Sequence, residues 1–116
     1  MRLGQRGEIL AVEYLEKLGY RIYARNYRTK IGEIDIIAFD ESTLVFCEVK
    51  TRNSTSYGQP FEAVTHKKQM TIQNIAEYFI AVNEVKLKGI SESRFDVISI
   101  LYDRDGAEIE HLKNAF

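Results

Sequence analysis

The sequence predicts an α/β domain, one mixed β-sheet with helices packed against it, in the order α-β-β-β-α-β-β. Three observations predict it. Helical periodicity is confined to two stretches, 4–18 and 60–82; runs rich in aromatic and β-branched residues with period-two alternation lie between and after them; and turn-forming residues punctuate the junctions. With 116 residues, 45% of them apolar and 28% charged, the chain suits one domain, 1–116, and is too short for two.

In "GQRGEILAVEYLEKL", 4–18, Ala11, Val12, Leu15 and Leu18 are spaced for one helical face, and Gly19 is placed to end the helix. "YRIYARNY", 20–27, is a predicted first strand. "GEIDIIAFDESTLVFCEVK", 32–50, holds the second and third strands folded about the polar corner "DEST", 40–43. "TRNSTSYGQ", 51–59, reads as a polar loop. Pro60 suits the first position of a second helix running to about Val82, with Val64, Ile72, Ile75, Ala76, Phe79 and Ile80 as its apolar face. "RFDVISIL", 94–101, is a predicted buried strand, and the "DRDG" turn returns the chain into a short edge strand over Glu108–Leu112.

No stretch approaches the roughly 20 consecutive apolar residues of a membrane span, and the N-terminus lacks a secretory pattern, so a soluble cytoplasmic protein with no membrane partner is expected. The single cysteine, Cys47, cannot form an intrachain disulfide and lacks zinc-site spacing; it reads as core. A net charge of −1 gives no global case for a nucleic-acid partner. The distribution says more: Arg21, Arg25, Arg28 and Lys30 fall close together without an acid, as do Lys50, Arg52, Lys67 and Lys68 with only Glu62 among them. Such segregation can make one face positive on a nearly neutral molecule, although solvated charge is the plainer account.

The hairpin carries the chemistry. If "DEST" is a four-residue loop, Phe39 faces Leu44, and the same register sets Asp35 opposite Glu48 and Glu33 opposite Lys50. Period-two alternation then puts all four charges on one face. Directly opposed carboxylates have Cβ atoms about 5 Å apart and repel, which disfavours the sheet unless positive charge lies between them. A divalent cation resolves the conflict. Two carboxylates, a backbone carbonyl and water are the hard oxygen ligands that Mg²⁺ prefers, and Lys50 would bring its ammonium beside a water or a phosphate oxygen, an arrangement suited to phosphodiester hydrolysis. The alternative is an ion-pair network in which Glu33 pairs with Lys50 and arginines neutralise the other acids. Glu8 shares the helix face of Ala11, Val12 and Leu15, so it points toward the sheet; favourable placement near the positive end of the helix dipole is the competing explanation.

Asp35 followed by Glu48-Val49-Lys50 resembles the D…(D/E)xK signature of the restriction-endonuclease-like PD-(D/E)XK nucleases. More closely, "GQRGEILAVEYL", "RNYRTKIGEIDIIA", "LVFCEVKTR", "YGQPFEAV" and "RFDVISI" together resemble the YraN family of small bacterial proteins, to which an endonuclease role has been ascribed by similarity. The N-terminal helix with Glu8 is also similar to that of archaeal Holliday-junction resolvases. The resemblance implies a restriction-endonuclease-like three-layer fold over 1–116 and a nuclease site in which Glu8, Asp35 and Glu48 bind Mg²⁺, with Mn²⁺ as a substitute, and Lys50 assists the attacking water. The proline of the superfamily's name is absent, Ile34 standing before Asp35.

Arg52 and Tyr57 flank this site and are candidates for the nucleic-acid backbone and for stacking; Gln59 and Lys68 reach a phosphate if the second helix packs beside the hairpin end; Arg25 and Arg28 are candidates for a phosphate-facing rim. Asp96 is expected to pair with Arg25 or Arg28, and His66 and His111, without ligand spacing, are expected at the surface. The function read from these features is hydrolysis of DNA phosphodiester bonds, with branched DNA a candidate substrate. A homodimer is expected if two strands are cut together. The rival reading is a non-catalytic nucleic-acid-binding or scaffolding module that retains the fold.

Overall fold

A computed structural model describes residues 3–53 and 64–116. The element order is α1 (Leu3–Lys17), β1 (Arg21–Thr29), β2 (Gly32–Asp40), β3 (Thr43–Asn53), α2 (His66–Val82), β4 (Glu92–Asp103) and β5 (Gly106–Leu112). The expected order α-β-β-β-α-β-β is the observed one. The strands form one five-stranded sheet in the order β1-β2-β3-β4-β5, antiparallel throughout except for the parallel pair β3 and β4, which α2 connects. No helix among the described residues is long and apolar enough to cross a membrane.

Two cores separate three layers. On one face Ala11 and Leu15 of α1 pack with Tyr20, Ile36, Ala38, Val45, Cys47, Ile98 and Ile100; on the other, Ile72, Ile75, Ala76 and Phe79 of α2 pack with Ile34, Ile37, Phe39, Leu44 and Phe46. Each fully buried Leu, Ile or Phe stabilises the fold by roughly 1.5–3 kcal/mol relative to exposure, so the two apolar stripes are what hold the helices to the sheet. This architecture is compatible with a restriction-endonuclease-like fold.

Helix ends follow local chemistry. Gly19, at φ +93°, closes α1: its N–H donates to the Glu16 carbonyl and the Tyr20 N–H to the Leu15 carbonyl, with Tyr20 packed against Leu15. Leu18, expected on the apolar face, is therefore a cap residue and is exposed. α2 starts later than expected. Thr65 is extended, and its hydroxyl accepts the Lys68 N–H, so the first helical residue is His66. Pro60, expected in that role, lies outside the described residues.

Gly7 is the close-approach residue of α1. A Cβ there would lie 1.9 Å from Thr51 Cγ2, so only glycine lets the helix lie this close to β3. That contact brings Glu8 to the same end of the sheet as Asp35 and Glu48.

Candidate active site

The β2–β3 hairpin pairs Asp40 with Thr43, Phe39 with Leu44, Ala38 with Val45, Ile37 with Phe46 and Ile36 with Cys47. Its turn is two residues, Glu41 and Ser42, rather than the expected four; both turns share one centre, so the register is the expected one. Beyond Ile36 and Cys47 the ladder stops. There the Val49 N–H, which would otherwise be a ladder donor, is taken at 2.8 Å by the carboxylate of Asp35.

The interruption has a backbone cause. Ile34 belongs to the α2-side core while Ile36 belongs to the α1 side, although residues two apart in a regular strand share a face. Alternation therefore slips at Asp35. The neighbouring strand keeps its register here, Arg25 pairing with Ile36 and Tyr27 with Ile34, but between them Asn26 adopts φ +51° and does not pair with Asp35; the register shift of β1 lies earlier, between Ile22 and Ala24. Asparagine tolerates this conformation better than most residues. Paired irregularities at Asn26 and Asp35 thus turn the Asp35 side chain into the gap between β2 and β3.

This corrects the expectation that four charges share one face. Glu33 does not meet Lys50; it sits opposite Arg28 on β1 and accepts its Nε–H at 3.0 Å. Glu48 alternates with Cys47 and Val49, which pack on the α1 side, and so lies toward α2. There its Oε1 is 3.9 Å from Lys50 Nζ and 3.7 Å from Lys68 Nζ. Lys68, read from sequence as a candidate phosphate ligand, comes from the first turn of α2 and is brought to the carboxylates by the packing of that helix.

Glu48 is 5% exposed, and its Oε2 has no hydrogen-bond partner among the described residues. Burial first, and the neighbouring Asp35 carboxyl second, push its pKa up to about 8 despite the two ammonium groups. Glu8, on α1, is half-buried, with a similarly unpartnered Oε1. Burial and the charges of Asp35 and Glu33 raise its pKa, while Arg25 and Arg28 act in the opposite sense. Asp35 is thus the shared neighbour of both glutamates. Among the described residues no group of three Asp, Glu, His or Cys side chains closes into a preformed metal cage. Asp35 and Glu48, with unpartnered carboxylate oxygens on Glu48 and Glu8, are a hard-oxygen donor set that fits an ion keeping several of its waters.

The remaining candidates divide. Arg52 continues β3 past Lys50, and Arg25 and Arg28 lie exposed along β1. Tyr57 and Gln59 lie outside the described residues. Asp96 is not a partner of Arg25 or Arg28: it is fully buried and accepts from Arg94 Nε at 3.0 Å, from the Asn114 N–H at 3.2 Å and from His111 Nε2 at 2.8 Å. Burial alone would raise the Asp96 carboxyl, but these hydrogen bonds and the guanidinium outweigh it and hold the pKa below the usual range. His111, expected at the surface, has its ring, 5% exposed, tucked beneath Tyr14, whose hydroxyl meets Nδ1 at 3.1 Å; His66 is exposed as expected.

Residues 7–100 match the family described as Uncharacterised protein family UPF0102. A UPF0102 protein of Alkaliphilus oremlandii is 47% identical over 99% of this chain and 97% of its own length. Those of Geobacter metallireducens, 49% identical over 98% of this chain and 91% of their own, and of Persephonella marina, 46% identical over 97% and 91%, are similar along the same extent.

Proposed function

We propose, for a chain that belongs to Uncharacterised protein family UPF0102, the YraN family, that it is a metal-dependent endonuclease hydrolysing DNA phosphodiester bonds. One observation carries the reading: a buried glutamate, Glu48, held against a second carboxylate with one oxygen unpartnered and two lysines within 4 Å. Burying a carboxylate costs several kcal/mol, and placing another beside it adds to that cost; the two lysines offset part of it, and a bound cation would offset more.

Glu8, Asp35 and Glu48 would hold Mg²⁺, or Mn²⁺ in its place. The ion would supply Lewis-acid polarisation of the phosphoryl group and a lower pKa for water. The chain's own residues do the rest. Asp35 is fixed by the Val49 N–H, which occupies one of its carboxylate oxygens and holds the side chain in place. Lys50 and Lys68 present ammonium groups on the Glu48 side, where they orient a phosphate and stabilise the negative charge that develops on its oxygens. Glu48 must be ionised to act as a ligand, so activity should rise with pH toward about 8 at low ion concentration, and saturating ion, which displaces the proton, should move that rise to lower pH.

The test is a panel of labelled linear, flapped and four-way DNA incubated with purified protein and Mg²⁺ or Mn²⁺. Cleavage by wild type is expected, with Asp35→Ala inactive and Lys50→Ala slowed by about a hundredfold or more. Equal cleavage by wild type and both variants would assign the activity to a contaminant, and no cleavage of any substrate would favour the non-catalytic module.

A further inference from the structure

Two hollows adjoin on the α2 side of the sheet. The nearer to the carboxylates, about 320 Å³, is walled by Glu33, Lys67 and Lys68 beside Ile31 and Gly32; the farther, about 530 Å³, is walled by Tyr27, Arg28, Lys30, Ile75 and Tyr78, and Ile31 lines both. Lys68 ties the first hollow to the site, since the same ammonium lies 3.7 Å from Glu48. Basic groups dominate these walls on a chain whose net charge is −1. Arg28 is balanced by Glu33, but Lys30 and Lys67 have no carboxylate at ion-pair distance among the described residues.

The farther hollow has aromatic walls. Tyr27 stands edge-on to the buried Phe79, which fixes its ring, and Tyr78 is close enough for its hydroxyl to contribute to raising the Tyr27 pKa after burial. Tyr78 and Ile31 are 56% and 60% exposed, apolar surface that the fold leaves uncovered in the midst of cations. Aromatic platforms flanked by a basic track suit an unpaired nucleic-acid strand: the bases stack on rings and the phosphates follow the ammonium groups. A base within a duplex is stacked between its neighbours and cannot enter such a hollow without being extruded.

We infer that the Tyr27–Tyr78 hollow receives an unpaired base of the nucleic acid whose backbone passes Lys67 and Lys68 on the way to Glu48. The substrate class is then DNA with a single-stranded segment next to the cleaved bond. This rests on the nuclease reading for its placement at a cutting site, while the binding itself needs no catalysis.

Fluorescence anisotropy of a labelled single strand and of its blunt duplex, in EDTA with the whole chain, separates the two. The single strand should bind about tenfold more tightly than the duplex, Tyr78→Ala should lose about tenfold in affinity for the single strand, and Tyr78→Phe, which keeps the ring, should bind as wild type. Lys30→Glu should weaken binding and flatten its salt dependence. Tyr78 is exposed, so the melting temperature of Tyr78→Ala should match wild type. Unchanged single-strand binding by a folded Tyr78→Ala, or equal affinity for the duplex, would overturn the inference. Tyr78-dependent binding with no metal-dependent cleavage of any DNA would uphold the hollow and sink the nuclease; cleavage that is indifferent to Tyr78 would do the reverse.

Discussion

Glu48 is where a single side chain decides the behaviour of the site. Its pKa is raised from the ordinary carboxylate range to about 8, chiefly by burial and next by Asp35. A carboxyl whose folded pKa exceeds its unfolded one favours folding most below the unfolded value, and that contribution is lost as pH climbs through the folded value. Metal-free protein should therefore melt at a lower temperature at pH 8.5 than at pH 6. A tenfold change in proton affinity between the unfolded and folded chain is worth about 1.4 kcal/mol, so the loss is on the order of a few kcal/mol. Glu48→Gln removes the charge and keeps the volume. It is expected to level the melting temperatures at the two pH values and to exceed wild type at the higher, while abolishing cleavage. A Glu48→Gln protein that melts below wild type at pH 8.5 would mean that the lysines, and not a proton or an ion, balance this carboxylate. That Asp35 and Glu48 lie near one another is legible in the sequence from the hairpin's register, although the ladder ends one pair short of them, at Ile36 and Cys47. The slip at Asp35 is not, since a left-handed Asn26 and a skipped pairing leave no mark on the period-two pattern. Glu33 departs from its expected place for that reason.

Among the elements, α1 positions Glu8 only because Gly7 lets it lie against β3. Gly7→Ala would drive a methyl to within 1.9 Å of Thr51 Cγ2, and the gain of about 1 kcal/mol in helix propensity cannot offset the overpacking, which costs roughly 1–3 kcal/mol. Gly4, on the same helix, has open space where a Cβ would go, so Gly4→Ala should be neutral or stabilising. The contrast between the two in thermal melts, with Gly7→Ala also losing activity, measures the close approach. The second element-level feature is the chain Tyr14–His111–Asp96–Arg94, half-buried around the fully buried Asp96, which ties α1, β5 and β4 together and reaches the hairpin through Asp40 at 3.2 Å. The strands bearing it are legible in the sequence; the pairing is not, because His111 and Asp96 meet only through the β4–β5 register, and a lone histidine on an edge strand looks like any surface residue. Removing one partner of a buried ionic network costs about 3–5 kcal/mol. Asp96→Ala is accordingly expected to lower the midpoint of urea unfolding sharply, and an unchanged midpoint would mean that Arg94 is sufficiently held by Asp40.

At the scale of the whole molecule, three layers leave one end of the sheet as the place where α1, the splayed β2–β3 gap and the first turn of α2 converge, and Lys50 and Lys68 stand against the electrostatic cost of that end. On the proposed reading a metal ion adds to that compensation, and folding is linked to it. A ligand bound only by the native protein stabilises it by about 2.7 kcal/mol when present at a hundred times its dissociation constant. Protons compete for the same oxygens, because Glu48 is still protonated in part below about 8. Mn²⁺ or Mg²⁺ should therefore raise the melting temperature of wild type by several degrees at pH 8 and by less at pH 6. Asp35→Ala should show little response at either pH, because the gap then offers Glu48 without its counterpart, and EDTA should return the wild type to its metal-free value. Equal shifts in wild type and Asp35→Ala would locate the ion elsewhere and leave the acids as a structural cluster neutralised by Lys50 and Lys68. A response confined to wild type and growing with pH would tie the ion, the proton and the carboxylate pair to one site, since neither an ion held elsewhere nor a lysine-balanced cluster reproduces both dependences together.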